Sequence, residues 1–347
     1  MIRILIIEDS LVITSLLRAI LNQEADMTVI GCAKNGAEGV SMAESLQPDL
    51  ITMDIRMPIM DGFEATRHIM ATRPVPIVVI SSSVADDELR ITFRAIEEGA
   101  LAVIEKPGGL SSPHFSMIRS NLVETIRAMA EVKLVRRIRH IRASRPVVMP
   151  APVAVTSGSC QVVALACSTG GPQALHTILR MLPRNLPFAM VVVQHISPGF
   201  IGGLVKWLAD ACKLTIKLAE EGERLQPGIV LLAPDDHHVL IRAESGGLWV
   251  HLSQTPPINR FRPSGNPLFT SLAQVAPGRA VGGILTGMGN DGAFGLLAMR
   301  NAGCHTFAQD RESSIVFGMP GEAIELNAAQ TILSLERIPD FLLTLSN

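Results

Sequence analysis

The stretch Val162-Val163-Ala164-Leu165-Ala166-Cys167-Ser168-Thr169-Gly170-Gly171-Pro172 decides how the chain is read. A strand-type apolar run stops at a serine, a threonine and two glycines, and the helical pattern Gln173-Ala174-Leu175-His176-Thr177-Ile178-Leu179 begins at once. Pro172 suits the first turn of a helix, where its missing N–H leaves no bond unmade. The glycines permit a turn too tight for side chains. Such a strand–turn–helix lifts the Ser168 hydroxyl to a helix N-terminus, where free N–H groups and the dipole favour negative charge. Two readings fit here: a serine nucleophile, whose tetrahedral intermediate carries an oxyanion, and a glycine-rich phosphate-binding turn.

Residues further along bear on the choice. Phe188 to Val193 reads as a buried strand ending at Gln194-His195, and Ala280 to Leu285 as another that leads into Thr286-Gly287-Met288-Gly289-Asn290-Asp291-Gly292. Asn266 to Ala276 is helix-like. Ser168, His195 and Asp291 therefore all fall at strand ends. A hydroxyl needs an imidazole to take its proton, and the imidazole needs a carboxylate to fix its tautomer. Cys167 is the better nucleophile chemically, but as the last strand residue it faces away from Ser168 and reads as a small buried hydrophobe. Asp235-Asp236-His237-His238 reads as a solvated turn between strands, without the H-x-x-x-H spacing of a helical metal site. His176 reads as a packing or surface residue of its helix.

The first half alternates in the same way. Ile2 to Ile7, Thr28 to Ala33, Leu50 to Met53, Pro76 to Ile80 and Ala102 to Glu105 read as strands, with helical patterns between them. That alternation implies a doubly wound parallel sheet, whose crevice lies beyond the strand C-termini. Those termini carry Glu8, Asp9, Asp54, Ser81 and Lys106. Converging carboxylates repel one another and favour a hard divalent cation such as Mg2+. A lysine and a hydroxyl beside them suit a phosphoryl group on one carboxylate.

On Glu8-Asp9-Ser10, Met53-Asp54-Ile55-Arg56-Met57-Pro58-Ile59-Met60-Asp61-Gly62 and Lys106-Pro107, residues 1–125 resemble a response-regulator receiver domain. The resemblance implies Asp54 as phosphoacceptor and Mg2+ bound by Glu8, Asp9, Asp54 and the Arg56 carbonyl. It also implies Ser81 and Lys106 as the phosphate-sensing switch. Glu8 stands where Asp is frequent, Arg56 is a cation where many relatives have a neutral or acidic group, and Val103 replaces an aromatic switch residue.

Residues 161–347 resemble the catalytic domain of chemotaxis protein-glutamate methylesterases. The matching segments are Cys167 to Pro172, Gln194-His195, Leu285 to Gly292, Ala308-Gln309-Asp310 and Phe317-Gly318-Met319-Pro320. The resemblance implies Ser168 as nucleophile, His195 as general base, Asp291 as orienting acid and the Met288 backbone N–H in the oxyanion hole, with no cofactor in this half. One departure is Gly265-Asn266 after Ser264, where relatives commonly carry an acidic residue. The departures leave open a paralogue serving a chemosensory pathway other than swimming.

Between the halves, Ser116 to about Ala143 reads as one amphipathic helix with a basic end, Lys133 to Arg142. A Pro-, Ser- and Gly-rich stretch follows, so residues 126–160 read as a linker. The chain has 347 residues, of which 48% are apolar and 18% charged, enough for two cores. A net charge of -2 gives no case for nucleic-acid binding. Five dispersed cysteines read as reduced thiols. Charges arrive too early for a secretory signal, and no uncharged apolar run nears the ~20 residues of a membrane span, so a soluble cytoplasmic protein is expected. The expected fold is α/β, a flavodoxin-like receiver followed by a Rossmann-like catalytic domain. The expected activity is a phosphorylation-regulated serine esterase that removes γ-methyl esters from chemoreceptor glutamates and deamidates glutamine. A histidine kinase is the expected phosphodonor. The alternative is a catalytically silent receiver–adaptor; a DNA-binding regulator is disfavoured, since the second half is too large and shows no helix-turn-helix beside a basic face.

Overall fold

A computed structural model describes residues 1–81, 86–107, 115–132, 160–244 and 246–345. Ser82-Ser83, the basic run Lys133 to Arg142 and the Pro/Ser/Gly-rich stretch lie outside the described residues, and the helix expected from Ser116 to about Ala143 stops at Ala130, with Glu131 and Val132 outside it.

The first half runs β1 (Ile2–Ile7), α1 (Leu11–Asn22), β2 (Met27–Ala33), α2 (Gly36–Leu46), β3 (Leu50–Met53), α3 (Gly62–Thr72), β4 (Ile77–Ser81), α4 (Asp86–Glu97), β5 (Ala102–Glu105) and α5 (Phe115–Ala130). Its strands pair in parallel in the order β2-β1-β3-β4-β5. All four residues of β3 and all five of β4 are buried, as expected of parallel strands covered on both faces. Helix starts are fixed by short polar side chains. The Asn35 carboxamide accepts the Glu38 N–H at 2.9 Å and the Asp61 carboxylate accepts the Glu64 N–H at 2.8 Å, filling donors that the first turn leaves free.

The second half runs β6 (Val162–Cys167), α6 (Gly171–Met181), β7 (Ala189–Gln194), α7 (Ile201–Ala211), β8 (Thr215–Leu218), β9 (Ile229–Leu232), β10 (His238–Glu244) and β11 (Gly247–Ser253). It continues through α8 (Gly265–Val275), β12 (Ala280–Ile284), α9 (Ala293–Asn301), β13 (His305–Gln309), α10 (Met319–Glu325), β14 (Thr331–Leu333) and α11 (Ile338–Thr344). Seven strands form one parallel sheet in the order β14-β13-β12-β6-β7-β9-β8. The chain builds outward from β6 in one direction, then returns to its other side with β12. The order thus reverses at β6, where such sheets open a crevice. The hairpin β10–β11, antiparallel and separate from the sheet, is an addition the alternating pattern did not announce.

The halves touch along two fronts. Helix α4 packs on α7, with the Phe93 and Trp207 rings stacked at 5.8 Å and the Trp207 indole N–H donating to the Glu97 carboxylate at 2.7 Å. The His176 ring stacks on the same indole at 4.8 Å, and burial lowers its pKa. The second front is α5, whose core cluster takes in Ile315 and Val316 from the loop before α10.

Gly283 in β12 lets the Phe307 ring of neighbouring β13 lie against the sheet: a Cβ there would stand 2.2 Å from that ring. Gly283→Ala is expected to destabilise the second half by about 1–3 kcal/mol through overpacking. Calorimetry should show its unfolding transition at lower temperature and that of the first half unmoved.

Candidate active site and acidic pocket

The register of β12, β6 and β7 brings three strand ends level. Ser168 N–H donates to the Thr286 carbonyl at 3.0 Å, and His195 N–H donates to the Cys167 carbonyl at 2.9 Å. Ser168 stands on the turn into α6, with Gly170 in the left-handed region (φ 79°) and Pro172 in the first turn. A Cβ on Gly171 would lie 2.0 Å from the Gln194 side-chain oxygen, so the turn needs glycine to admit Gln194. The Gln194 carboxamide donates to the Ser168 carbonyl at 2.9 Å and the His195 carbonyl at 2.7 Å, tying the two strand ends together. It also accepts the Cys167 thiol at 3.1 Å; Cys167 is fully buried, and burial raises its pKa. Cys167 is thus an inert wall rather than a nucleophile.

His195 Nε2 meets Asp291 Oδ2 at 2.8 Å. A proton held there leaves Nδ1 as the base atom, and Nδ1 is buried with no hydrogen-bond partner. Ser168 Oγ makes no hydrogen bond to His195 in this structure, although the two residues occupy adjacent strand ends. Asp291 is 1% exposed, yet its pKa is lowered: burial works to raise it, and the donors around it outweigh burial. Those donors are His195, the Ser264 hydroxyl, the Gly265 N–H at 2.6 Å and the Asn266 carboxamide at 3.0 Å. The Gly265-Asn266 departure therefore has a physical meaning here. An acid at position 266 would repel Asp291, whereas Asn266 donates to it and accepts the Gly295 N–H at 2.8 Å.

Met288 lies in a loop held from both sides, since Gly287 N–H donates to the Val316 carbonyl and the Gly287 carbonyl accepts from Gly318 and Met319. Met288 N–H itself has no acceptor among the described residues. Thr286 Oγ1 braces the same loop, accepting the Val316 N–H at 2.9 Å and lying 2.9 Å from the Thr169 carbonyl. His176 lies outside this cluster, on α6 against Trp207. His238 is consumed structurally, with Nδ1 accepting the Ser264 N–H and Nε2 facing the Pro256 carbonyl.

One contributor escaped the sequence altogether. The Phe261 ring lies flat on the His195 ring, centroids 4.0 Å apart and planes 5° from parallel. Phe261 belongs to a tight turn closed by reciprocal backbone bonds between Ile258 and Phe261, with Asn259 and Arg260 both left-handed. The stack fixes the imidazole plane and keeps water from one face.

In the first half, Glu8, Asp9 and Asp54 each offer an oxygen within 4.8 Å of the others. Lys106 Nζ lies 2.8 Å from Glu8 and 2.9 Å from Asp54. Burial raises the Glu8 pKa, against the Lys106 hydrogen bond. For Lys106, burial works downward but its two carboxylate partners win, so its pKa is raised. Ser81 is buried at the end of β4, and Arg56 is exposed on the segment after Asp54. All-oxygen acidic donors suit a hard divalent cation.

Comparison with known proteins agrees with both halves. The CheB methylesterase family model matches residues 163–342 and the response regulator receiver domain model matches residues 4–112. A protein-glutamate methylesterase/protein-glutamine glutaminase of Nitrosospira multiformis is 42% identical, over 97% of this chain and 95% of its own length. One from Myxococcus xanthus is 44% identical, over 96% of this chain and 94% of its own. The crystal structure of the Thermotoga maritima CheB methylesterase catalytic domain superposes with TM-score 0.53 at 38% identity, covering 54% of this chain and all of that domain. No helix among the described residues is long and apolar enough to cross a membrane.

Phe261→Leu keeps apolar bulk and loses the flat ring. It is expected to slow covalent labelling of Ser168 by a fluorophosphonate about tenfold, since small misplacements of a base are expensive. Labelling kinetics followed by intact-mass spectrometry would measure this.

Proposed function

The chain belongs to the CheB methylesterase family, and we propose that it hydrolyses glutamate γ-methyl esters and deamidates glutamines on chemoreceptors under control of its receiver domain. The observation that carries the chemistry is the buried Asp291–His195 pair with its unpartnered Nδ1 next to the Ser168 strand end. Ser168 Oγ attacks the ester carbonyl and passes its proton to His195 Nδ1. Asp291 holds the Nε2–H and stabilises the imidazolium. The oxyanion is received by the Met288 N–H and the N-terminus of α6. His195 returns the proton to the departing methoxide, and methanol leaves. Water then attacks the acyl-enzyme with His195 again as base. With glutamine the same steps release ammonia.

The functional units are residues 1–125, a linker over 126–160 and residues 161–347. Asp54 accepts a phosphoryl group from the pathway's histidine kinase. Mg2+ held by Glu8, Asp9, Asp54 and the Arg56 carbonyl would neutralise the transferring oxygens. Lys106 and Ser81 contact the phosphoryl group once it is in place. Before phosphorylation, α5 over Ile315 and Val316 crowds the approach to Met288, and α4 on α7 holds the two halves together.

Ser168→Ala is expected to abolish methanol release from methylated receptor membranes, measured as volatile radioactivity from methyl-labelled receptor. Asp54→Asn should keep basal release and lose its stimulation by acetyl phosphate. Survival of that stimulation would overturn the role of Asp54. Glu97→Gln weakens the charge-assisted bond to Trp207, so unstimulated release should rise up to about tenfold, the worth of one such bond.

A further inference from the structure

The crevice beside Met288 is a cavity of about 500 Å3 whose one wall is α5 and the residue that follows it, contributing Glu124, Arg127 and Glu131. The other wall is Met288, Arg311 and Phe317. Glu124 lies on α5 and Glu131 directly after its end, and both line this cavity. On the opposite side stand two cations. Arg260 reaches Glu124 at 4.0 Å with its side chain 82% exposed, while the same Glu124 oxygen accepts the Ser120 hydroxyl at 2.9 Å. Arg311 is exposed, with its guanidinium 4.2 Å above the Phe317 ring. Arg127 is occupied elsewhere, by Asp26 and Glu24 of its own half. Arg260 adjoins Phe261, the residue stacked on His195, so this cation is one residue removed from the imidazole's support.

Two features here are unnecessary for a simple plug. A helix blocking a crevice needs only apolar contact, which Ile315 and Val316 already give. Glu124 on α5 faces Arg260, and Glu131 lines the same cavity as Arg311, beside a site whose product, on the reading proposed above, is itself a glutamate. We propose that Arg260 and Arg311 dock an acidic substrate helix, and that α5 sits on them as an internal analogue of the product. Glu124 takes the place of a glutamate neighbouring the esterified residue. The partner that fits is a helix carrying glutamates at one- to two-turn spacing around the reacting side chain. Docking by solvent-facing charges gives orientation and encounter rate at modest affinity, and salt weakens it.

The inference rests on the methylesterase reading, and the test separates the two. The full-length protein is assayed with excess acetyl phosphate, which frees the crevice, on methylated receptor membranes and on p-nitrophenyl acetate, which has no helix to dock. Arg260→Ala is expected to raise KM for the receptor up to about fivefold, the scale of an exposed ion pair, with kcat retained and a larger change than on p-nitrophenyl acetate. Arg260→Lys should restore most of it, and added salt should bring wild type toward the variant. Without phosphodonor, Glu124→Gln should raise receptor turnover severalfold. A wild-type KM for Arg260→Ala under phosphodonor would overturn the proposal and leave Arg260 as a latch alone. Parallel losses on both substrates would also overturn it, by assigning Arg260 to the support of His195. Wild type that cleaves p-nitrophenyl acetate but frees no methanol from receptor would instead overturn the methylesterase reading.

Discussion

A carboxylate with 1% of its surface exposed must be satisfied or it will not stay charged, and Asp291 sets that condition for the whole second half. Its partners come from different parts of the chain: His195 from the end of β7, Ser264 and Gly265 from the start of α8, and Asn266 from the first turn of that helix. An uncompensated buried charge costs several kcal/mol. The geometry that relieves it therefore also fixes where β7 ends, where α8 begins and how the loop from β12 is presented. The arrangement around His195 is in this sense a consequence of electrostatic necessity. The imidazole is oriented because Asp291 has no better way to be paired, and its free Nδ1 follows from that orientation.

The acidic pocket of the first half solves a related problem differently. There the carboxylates are close together and one cation, Lys106, spans Glu8 and Asp54. A single lysine leaves the cluster short of positive charge, since Asp9 remains exposed and lies within reach of the other two. The Asp291–His195 pair is closed by its donors, whereas the acidic pocket keeps surplus negative charge, which favours a hard divalent cation.

Much of this was readable from the chain because parallel strands covered on both faces appear as unbroken apolar runs, and their ends are punctuated by polar residues. β6, all six residues buried, ends at the Ser168 turn for that reason. Glu8, Asp54 and His195 follow strands directly and carry the same signal, whereas Asp291 lies seven residues beyond β12, in the loop before α9. What was not readable depends on contacts between distant segments. Phe261 sits in a short left-handed turn with no periodicity, and nothing local marks it as the residue lying on His195. The hairpin β10–β11 carries the half-exposed run His238 to Glu244, and its place is fixed by α8, as in the Ile241 N–H bond to the Ser271 hydroxyl at 2.9 Å. Asn266 was visible only as an irregularity until Asp291 showed what it bonds.

The two fronts between the halves differ in kind. The Arg260–Glu124 pair is largely solvated and holds little by itself. The firmer grip is α4 on α7, where Trp207 is stacked by Phe93 and His176 and its N–H is bound by Glu97. α4 is also the helix that follows β4 in the chain, and β4 ends at Ser81, so a phosphoryl group drawing on Ser81 would act at the base of the gripping helix. Driving a two-state interface from almost closed to almost open takes about 5.5 kcal/mol of differential interaction. One aromatic stack and one charge-assisted bond together supply about 2–4.5 kcal/mol, less than that figure, so they are only part of what holds the two helices together. Leu89, Phe93 and Ile96 of α4 belong to the same buried cluster as Leu204, Trp207 and Leu208 of α7, so the contact is an apolar seam with one charge-assisted bond beside it.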